Sequence, residues 1–196
     1  MGDDDLVAIG ADLEPATLIN AYANGLFPMP MNGKKIGWWS PATRGIIPLD
    51  GLQISRSLQK HLKRFSIRVD SCFAQVMKAC GDSRRPHGWI NVDFIRAYSH
   101  LHAMGWAHSV EVFSGDDLVG GVYGVRVGKL FAGESMFHTQ TDASKAALVA
   151  LVALLDATGI ALFDVQWTTP HLESMGAIDI PRSDYLALLA QAQNRD

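Results

Sequence analysis

Apolar positions recur with two periods along the chain, and they divide it into a short irregular start and a longer regular body. Leu18, Ile19 and Tyr22 form the apolar face of a short helix over Pro15–Asn24, with Pro15 at its start and Asn24-Gly25 at its end. A Pro/Met/Gly segment follows, Phe27-Pro28-Met29-Pro30-Met31-Asn32-Gly33, and then Gly37-Trp38-Trp39-Ser40-Pro41. This start predicts a small lobe of one helix and ordered loops. Ser55 is the candidate N-cap of a helix over Ser55–Arg64. Phe65, Ile67 and Val69 alternate with polar residues as a strand does. Phe73, Val76, Met77 and Cys80 fit a helix, and Gly81–Gly88 reads as a charged loop carrying Arg84 and Arg85. Phe94, Ile95, Tyr98, Leu101 and Met104 mark a further helix closed by Gly105.

The second half is richer in strands. Ser109–Phe113 alternates, Gly115-Asp116-Asp117 turns, Leu118–Val127 returns, Gly128-Lys129 turns again, and Leu130–Phe137 makes a third strand. Ala143–Thr158 is a long helix ended by Gly159, and Ala161–Trp167 is a fourth strand. Ser183–Gln193 is a last helix with Leu186 and Leu189 facing inward. The order β-β-β-α-β-α predicts an α+β fold, a mixed α/β sheet in which an antiparallel meander runs into one crossover. The border between lobe and body falls near Pro41–Pro48, giving a lobe over residues 1–44 and a body over 45–196.

Composition narrows the class. With 196 residues, 48% hydrophobic and 19% charged, the chain can bury a core without staples and is not disordered. A net charge of −3 excludes a generally basic coat for nucleic acid but not a local basic patch. Cys72 and Cys80 are too few for a disulfide framework or a four-thiolate zinc site. Their spacing suits one helix face, so they read as buried thiols in a reducing cytosol. The acidic start Met1-Gly2-Asp3-Asp4-Asp5 has none of the features of a signal peptide. The longest apolar stretch, Ala146–Leu155, is too short to span a bilayer. A cytoplasmic protein is expected.

Most catalytic motifs are missing: no P-loop, no Gly-x-Ser-x-Gly, no His-Glu-x-x-His and no dinucleotide glycine fingerprint. The seven histidines lack metal-ligand spacing, so neither a metal nor a cofactor is expected. The meander-helix-strand order resembles the core of the GCN5-related acetyltransferases, which hold a coenzyme A pyrophosphate at a helix start. Here that loop, His138-Thr139-Gln140-Thr141-Asp142, has no glycine, and Asp142 would repel phosphate. Glu134 and Asp164 lie inside apolar strands, and Gln166 shares a face with Asp164. Two readings stay open for the carboxylates. They satisfy internal N–H groups, with Lys145 or Arg182 as partners, or they form an acidic pocket for a cation, with Gln166 as a neutral donor and acceptor. Arg56, Lys60, Lys63 and Arg64 fall along one side of their helix, as a solvated face or as a strip for a phosphate backbone. Trp38, Trp39 and Trp89 are core or stacking surfaces for bases.

At these residues the sequence resembles the leucyl/phenylalanyl-tRNA–protein transferases. The matching strings are Leu6–Leu13, Gly25–Pro28, Trp38–Pro41, Ile54–Ser57, Trp89-Ile90, His108–Val112, Gly120–Val125, Gly133–Phe137, Ala143–Lys145, Asp164-x-Gln166 and Pro181–Leu186. They run through nearly the whole chain in the family's order. The resemblance implies an aminoacyltransferase in which leucine or phenylalanine passes from its tRNA to the α-amine of a protein beginning with arginine or lysine, marking that protein for degradation by the N-end rule. It also implies a small N-terminal lobe plus a GCN5-like domain that uses aminoacyl-tRNA instead of acetyl-coenzyme A.

The family likeness further implies residue roles. Gln166 is nearest the attacking amine and orients it, positioned or polarised by Asp164, and Glu134 completes an acidic site for the cationic acceptor. The donor side chain enters a pocket of Val122, Phe131, Gly133, Met136, Leu148, Leu151 and Phe163. Such a pocket separates one methylene by only about 1–3 kcal/mol, so methionine is an expected donor too. Trp89, Tyr98 and Met29 meet the terminal adenosine, and Arg56, Lys60, Lys63 and Arg64 hold the tRNA phosphates. Met29 stands where some relatives carry a tryptophan, Leu151 where a phenylalanine is common, and Thr169 near an asparagine of others. These departures bear on donor preference. A monomer is expected, because a tRNA and a protein N-terminus both need access. The alternative is another N-acyltransferase of GCN5-like fold with a different acyl donor.

Overall fold

The computed structural model describes residues 5–82 and 89–193. The acidic start before Asp5 and the Arg84/Arg85 stretch lie outside the described residues. The first part contains β1 (Leu6–Ile9), α1 (Pro15–Ala23), β2 (Phe27–Pro30) and β3 (Ile36–Trp39). The three strands form a sheet in the order β1-β3-β2, with both pairings antiparallel. The expectation of one helix with ordered loops is thus corrected. Pro28 and Pro30 hide a strand, because proline cannot donate to a ladder. They are tolerated here because β2 is an edge strand that pairs only with β3.

The body continues with β4 (Thr43–Ile46), α2 (Arg56–Leu62), β5 (Ser66–Val69), α3 (Phe73–Cys80) and α4 (Val92–Ala103). Next come β6 (Ala107–Ser114), β7 (Asp117–Val127), β8 (Leu130–His138), α5 (Ala143–Ala157) and β9 (Leu162–Gln166). The chain ends with α6 (Pro170–Glu173), β10 (Ile178–Pro181) and α7 (Arg182–Gln193). Ser55 caps α2, its hydroxyl accepting from the Leu58 amide at 3.2 Å. The seven-stranded sheet runs β10-β4-β9-β8-β7-β6-β5. Every pairing in it is antiparallel except β8–β9, which the α5 crossover joins in parallel. This is the mixed α/β sheet expected. β4 and β10 are absent from the sequence reading because each is four residues long and interrupted, one by Arg44-Gly45 and the other by Pro181. The border between residues 44 and 45 falls within β4, a strand of the large sheet.

Neighbouring residues of one strand feed different cores, as the period of two requires. Val122 of β7 packs with Phe131, Leu148, Leu151 and Phe163 beneath α5. Tyr123 packs with Phe73, Met77, Phe94 and Tyr98 beneath α3 and α4, a cluster that also takes in Tyr22 and Phe27 of the lobe. Two smaller expectations are corrected. In α7 the inward stripe is Tyr185, Leu189 and Ala192, at i, i+4 and i+7, while Leu186 is 39% exposed. Cys72 is the N-cap of α3 rather than a member of its face. It is half-buried, and Cys80 is buried at the helix's end.

Two irregularities in the sheet matter below. β8 and β9 pair only through Leu130–Leu162, Phe131–Phe163 and Ala132–Asp164, and then part. In β8, Gly133 pairs with Gly124 and Ser135 with Tyr123, so Glu134 is an extra residue without a partner on β7. This is a β-bulge, which bends its strand and re-aims a side chain. Gly124 makes room beside it. A Cβ there would come within 2.3 Å of the Ala132 carbonyl oxygen and 2.5 Å of the Phe131 ring. Gly124→Ala is expected to lower stability by about 1–3 kcal/mol, the usual cost of overpacking. Denaturant melts of the two proteins measure this, and a change of only a few tenths would contradict the packing described.

Candidate active site

The parting of β8 and β9 opens a cavity of about 410 Å³. Gly133, Glu134, Ser135 and Met136 of β8 line one side, and Val165, Gln166 and Trp167 at the end of β9 line the other. Val122 and Leu148 form the depth beneath α5. Phe27, Pro28 and Met29 of β2 cover it from the lobe, beside Trp89, and Phe163, Thr169, His171 and Leu172 complete the wall. The lining is apolar apart from a few converging polar groups, the usual character of a site for an organic ligand.

The polar groups are organised around a buried ion pair. Asp164 is fully buried and Arg44 is 1% exposed. The guanidinium donates Nε to Oδ1 at 2.9 Å and Nη2 to Oδ2 at 2.6 Å. This bidentate geometry is what lets an ion pair survive without water. Tyr185 donates its hydroxyl to Asp164 Oδ2 at 2.9 Å, and the Gln166 amide donates to Oδ1 at 2.9 Å. Arg44 also donates to the Gly25 carbonyl at 3.1 Å and lies against the rings of Phe27 and Tyr185. The partner of Asp164 is therefore Arg44, a correction to the expectation of Lys145 or Arg182. Lys145 stands 3.7 Å from Asp142, and Arg182 donates to the Pro41 carbonyl at 3.2 Å.

Gln166 has φ of +62°, the left-handed region that a side chain with a Cβ rarely adopts. The hydrogen bond from its backbone N–H to Asp164 Oδ1 helps hold it there. Gly45 lets the chain just beyond Gln166 come close, since a Cβ at Gly45 would lie 2.9 Å from the Thr168 nitrogen. The twist ends the alternation of β9, so Asp164 meets the backbone of Gln166 rather than its side chain. The side chain is sent to Glu134, with Nε2 donating to Oε1 at 3.1 Å. Tyr98 donates to Oε2 at 3.3 Å and is hydrogen-bonded in turn to Tyr22. Burial pushes the Glu134 carboxyl up to about 8. The hydroxyl of Tyr22 opposes this shift and the charge of Asp164 adds to it.

Of the residues expected around the donor side chain, Val122, Gly133, Met136, Leu148 and Phe163 line the cavity. Phe131 and Leu151 do not. They are core residues that border a separate cavity of about 160 Å³, and the edge-on contact of Phe131 with Phe163, centroids 6.0 Å apart, stands at the wall. Met29 and Trp89 line the main cavity. Tyr98 is fully buried against Phe94 and Tyr123, so it has no face to offer a base, and its role is corrected to bonding Glu134. Arg56, Lys60, Lys63 and Arg64 are all exposed on α2 and the turn after it. At the head of α5, Asp142 binds His61 of α2 at 2.6 Å. The sequence reading missed Arg44, Tyr22, Tyr185 and His171. Arg44 gave no local signal, because it sits between Thr43 and Gly45 and its partner lies 120 residues away.

Family models match both parts of the chain. One described as leucyl/phenylalanyl-tRNA protein transferase matches residues 46–190, and one described as the N-terminal domain of that protein matches residues 11–42. The leucyl/phenylalanyl-tRNA–protein transferase of Tolumonas auensis is 50% identical over 194 residues, covering 97% of this chain and 83% of the relative. Those of Cereibacter sphaeroides and Thiobacillus denitrificans are 51% and 47% identical, over 92% and 96% of this chain and 85% of each relative. Among solved structures, L-PGS from Bacillus licheniformis superposes with a TM-score of 0.46 at 12% identity, over 83% of this chain and 54% of its own. A GCN5-related N-acetyltransferase-like protein from Streptococcus suis gives 0.41 at 14% identity, over 84% and 63%.

The raised Glu134 carboxyl has a sign that can be measured. Folding holds its proton more tightly than the unfolded chain does, so its stabilising share is complete below the ordinary value of 4.5. That share is lost progressively as pH rises to about 8. Glu134→Gln should remove this part of the fall in stability across the window. Parallel denaturant titrations from pH 4.5 to 8.5 test it, and identical pH slopes for the two proteins would refute the assignment.

Proposed function

The chain belongs to the leucyl/phenylalanyl-tRNA–protein transferase family, and is thus an aminoacyltransferase acting on proteins. On that premise we propose that it moves leucine, phenylalanine or methionine from tRNA to the α-amine of proteins beginning with arginine or lysine. The new N-terminus then marks the protein for degradation. The observation that carries this reading is an apolar cavity that ends at the Glu134–Gln166 pair.

An aminoacyl ester is already activated, so the enzyme's task is to align an amine with the carbonyl carbon and to keep water away. The amine adds to that carbon, the tetrahedral intermediate collapses, and the ribose oxygen leaves. The amine's proton ends, directly or through water, on that oxygen. Gln166 suits the aligning role. Its Nε2 is committed to Glu134, which leaves the amide oxygen to accept from an amine N–H. An amide oxygen is a feeble base, but an α-amine needs little help, with an ordinary value of about 7.7–8.0. Asp164, through the Gln166 backbone, fixes where that oxygen points. Glu134 is the seat for the acceptor's cationic side chain, since a bound cation favours the ionised carboxylate and draws its raised value back down.

Val122, Gly133, Met136, Leu148 and Phe163 would hold the donor side chain, and Met29 and Trp89 the adenine. The exposed cations Arg56, Lys60, Lys63 and Arg64 would take the phosphates. The His61–Asp142 bond supports this path, because it ties the basic helix to the head of α5, the helix that carries Leu148 into the cavity. We divide the chain into the lobe, residues 1–44, which closes the donor site, and the transferase body, residues 45–196. It would act as a monomer in the cytoplasm, where charged tRNA and new protein N-termini meet. No helix among the described residues is long and apolar enough to cross a membrane.

The test is a transfer assay with labelled leucyl-, phenylalanyl- and methionyl-tRNA, and peptides beginning with arginine, lysine or alanine. Label should reach only the arginine and lysine peptides, and acetyl-coenzyme A should give no product. Acetyl transfer, or equal labelling of the alanine peptide, would overturn the reading. Gln166→Ala should lose most of the activity. Binding should also depend on α2: Lys60→Ala with Lys63→Ala should weaken tRNA uniformly and lower the slope of log affinity against log salt by about 1–2, one contact or so per lysine. An unchanged slope would detach the helix from the RNA.

A further inference from the structure

Val165, Gln166 and Trp167 are consecutive, yet all three line the main cavity. A strand of period two would send the middle one to the opposite face. The left-handed backbone of Gln166 breaks that alternation, so the turn that aims the glutamine also brings the next side chain in beside it. Gly45 packs against the backbone of this turn, since a Cβ there would lie 3.0 Å from the Trp167 carbonyl carbon. The indole itself is held from the lobe. Phe27 of β2 meets it edge-on, with centroids 4.9 Å apart and planes at 89°, and Trp39 of β3 lies 6.3 Å away at 65°. Trp167 is half-buried and lines the cavity, so the indole offers surface there.

The charges around the ring say what kind of group suits it. Among the described residues that line the cavity, Glu134 is the one acidic side chain, and none is a lysine or an arginine. The hydrogen bonds that Glu134 accepts come from neutral groups, the Gln166 amide at 3.1 Å and the Tyr98 hydroxyl at 3.3 Å. Asp164, by contrast, is matched by Arg44. An ionised Glu134 therefore leaves this end of the cavity with one negative charge, and the face of an aromatic ring adds to the attraction for a cation. A ring alone would suit a nucleobase as well. A carboxylate on the neighbouring strand, bonded to the residue before the ring, favours the cation. The planar guanidinium of arginine also stacks on an indole face. We propose that the Trp167 ring packs against the cationic side chain of the acceptor's first residue and, together with Glu134, selects it over a neutral side chain of the same shape. This rests on the reading above that the acceptor amine lies at Gln166.

Two peptides that differ only in their first residue, arginine or citrulline, separate charge from shape. Their kcat/KM values are measured with leucyl-tRNA on wild type, Trp167→Phe and Trp167→Leu, together with the KM for leucyl-tRNA. Wild type should prefer the arginine peptide. Trp167→Leu should cut that preference roughly five- to tenfold, the usual worth of a partly desolvated cation–π contact. Trp167→Phe should keep part of it, and the KM for leucyl-tRNA should not change. A preference that survives intact in Trp167→Leu would overturn the proposal. So would a raised KM for leucyl-tRNA with the arginine preference unchanged, because it would give the ring to the donor. The preference is a ratio within one protein, so a partial loss of folded material cancels from it. If wild type itself uses the two peptides alike, the reading of a cationic acceptor at this site fails, and the role of Trp167 falls with it.

Discussion

The pair of Arg44 and Asp164 is the interaction on which the rest of the site depends. Both charges are out of water, and such a pair repays its desolvation only with near-ideal geometry and every remaining lone pair satisfied. Here the fork of the guanidinium, the Tyr185 hydroxyl and the Gln166 amide together meet the carboxylate. Four parts of the chain converge on it: β4 brings Arg44, β9 brings Asp164, α7 brings Tyr185, and the lobe contributes the Gly25 carbonyl and the Phe27 ring. The lobe that covers the cavity and the strand that ends at Gln166 are therefore held by one cation.

The second condition is an opening in the sheet. A continuous β8–β9 ladder would leave no room for a ligand between the strands. Pairing for only three residues, followed by the bulge at Glu134, creates the cleft and turns a carboxyl group into it. The glycines around it are spatial requirements more than conformational ones. Gly124 yields to the Phe131 ring and Gly133 to the ring of Phe163, so aromatic walls stand where side chains would otherwise collide.

Much of this was legible along the chain, and what was not has a physical reason. Helices with a strong apolar period and strands bounded by Gly-Asp or Gly-Lys turns were readable because their signals are local. β2, β4 and β10 were not, since a short strand owes its existence to partners distant in sequence, and the prolines or Arg-Gly inside these obscure the alternation. Glu134, Asp164 and Gln166 stood out as polar residues within apolar runs. Arg44 did not, because it sits between Thr43 and Gly45 rather than within an apolar run. Tyr98 and Leu151 were placed in substrate contact by likeness to the family. The structure instead uses one to satisfy a carboxyl and the other to fill the core.

The left-handed backbone of Gln166 leaves this position almost no neighbours in sequence space. Glycine would adopt that conformation without cost, but it has no side-chain amide to offer Glu134. Asparagine and aspartate tolerate it better than most residues, yet each is one methylene too short to span from β9 to Glu134. Glutamate has the length but would set a second carboxyl against the first. Backbone preference and side-chain reach thus pull toward different amino acids at residue 166. Glutamine satisfies the reach at the expense of the backbone, so drift at this site is barred on both counts and not by chemistry alone.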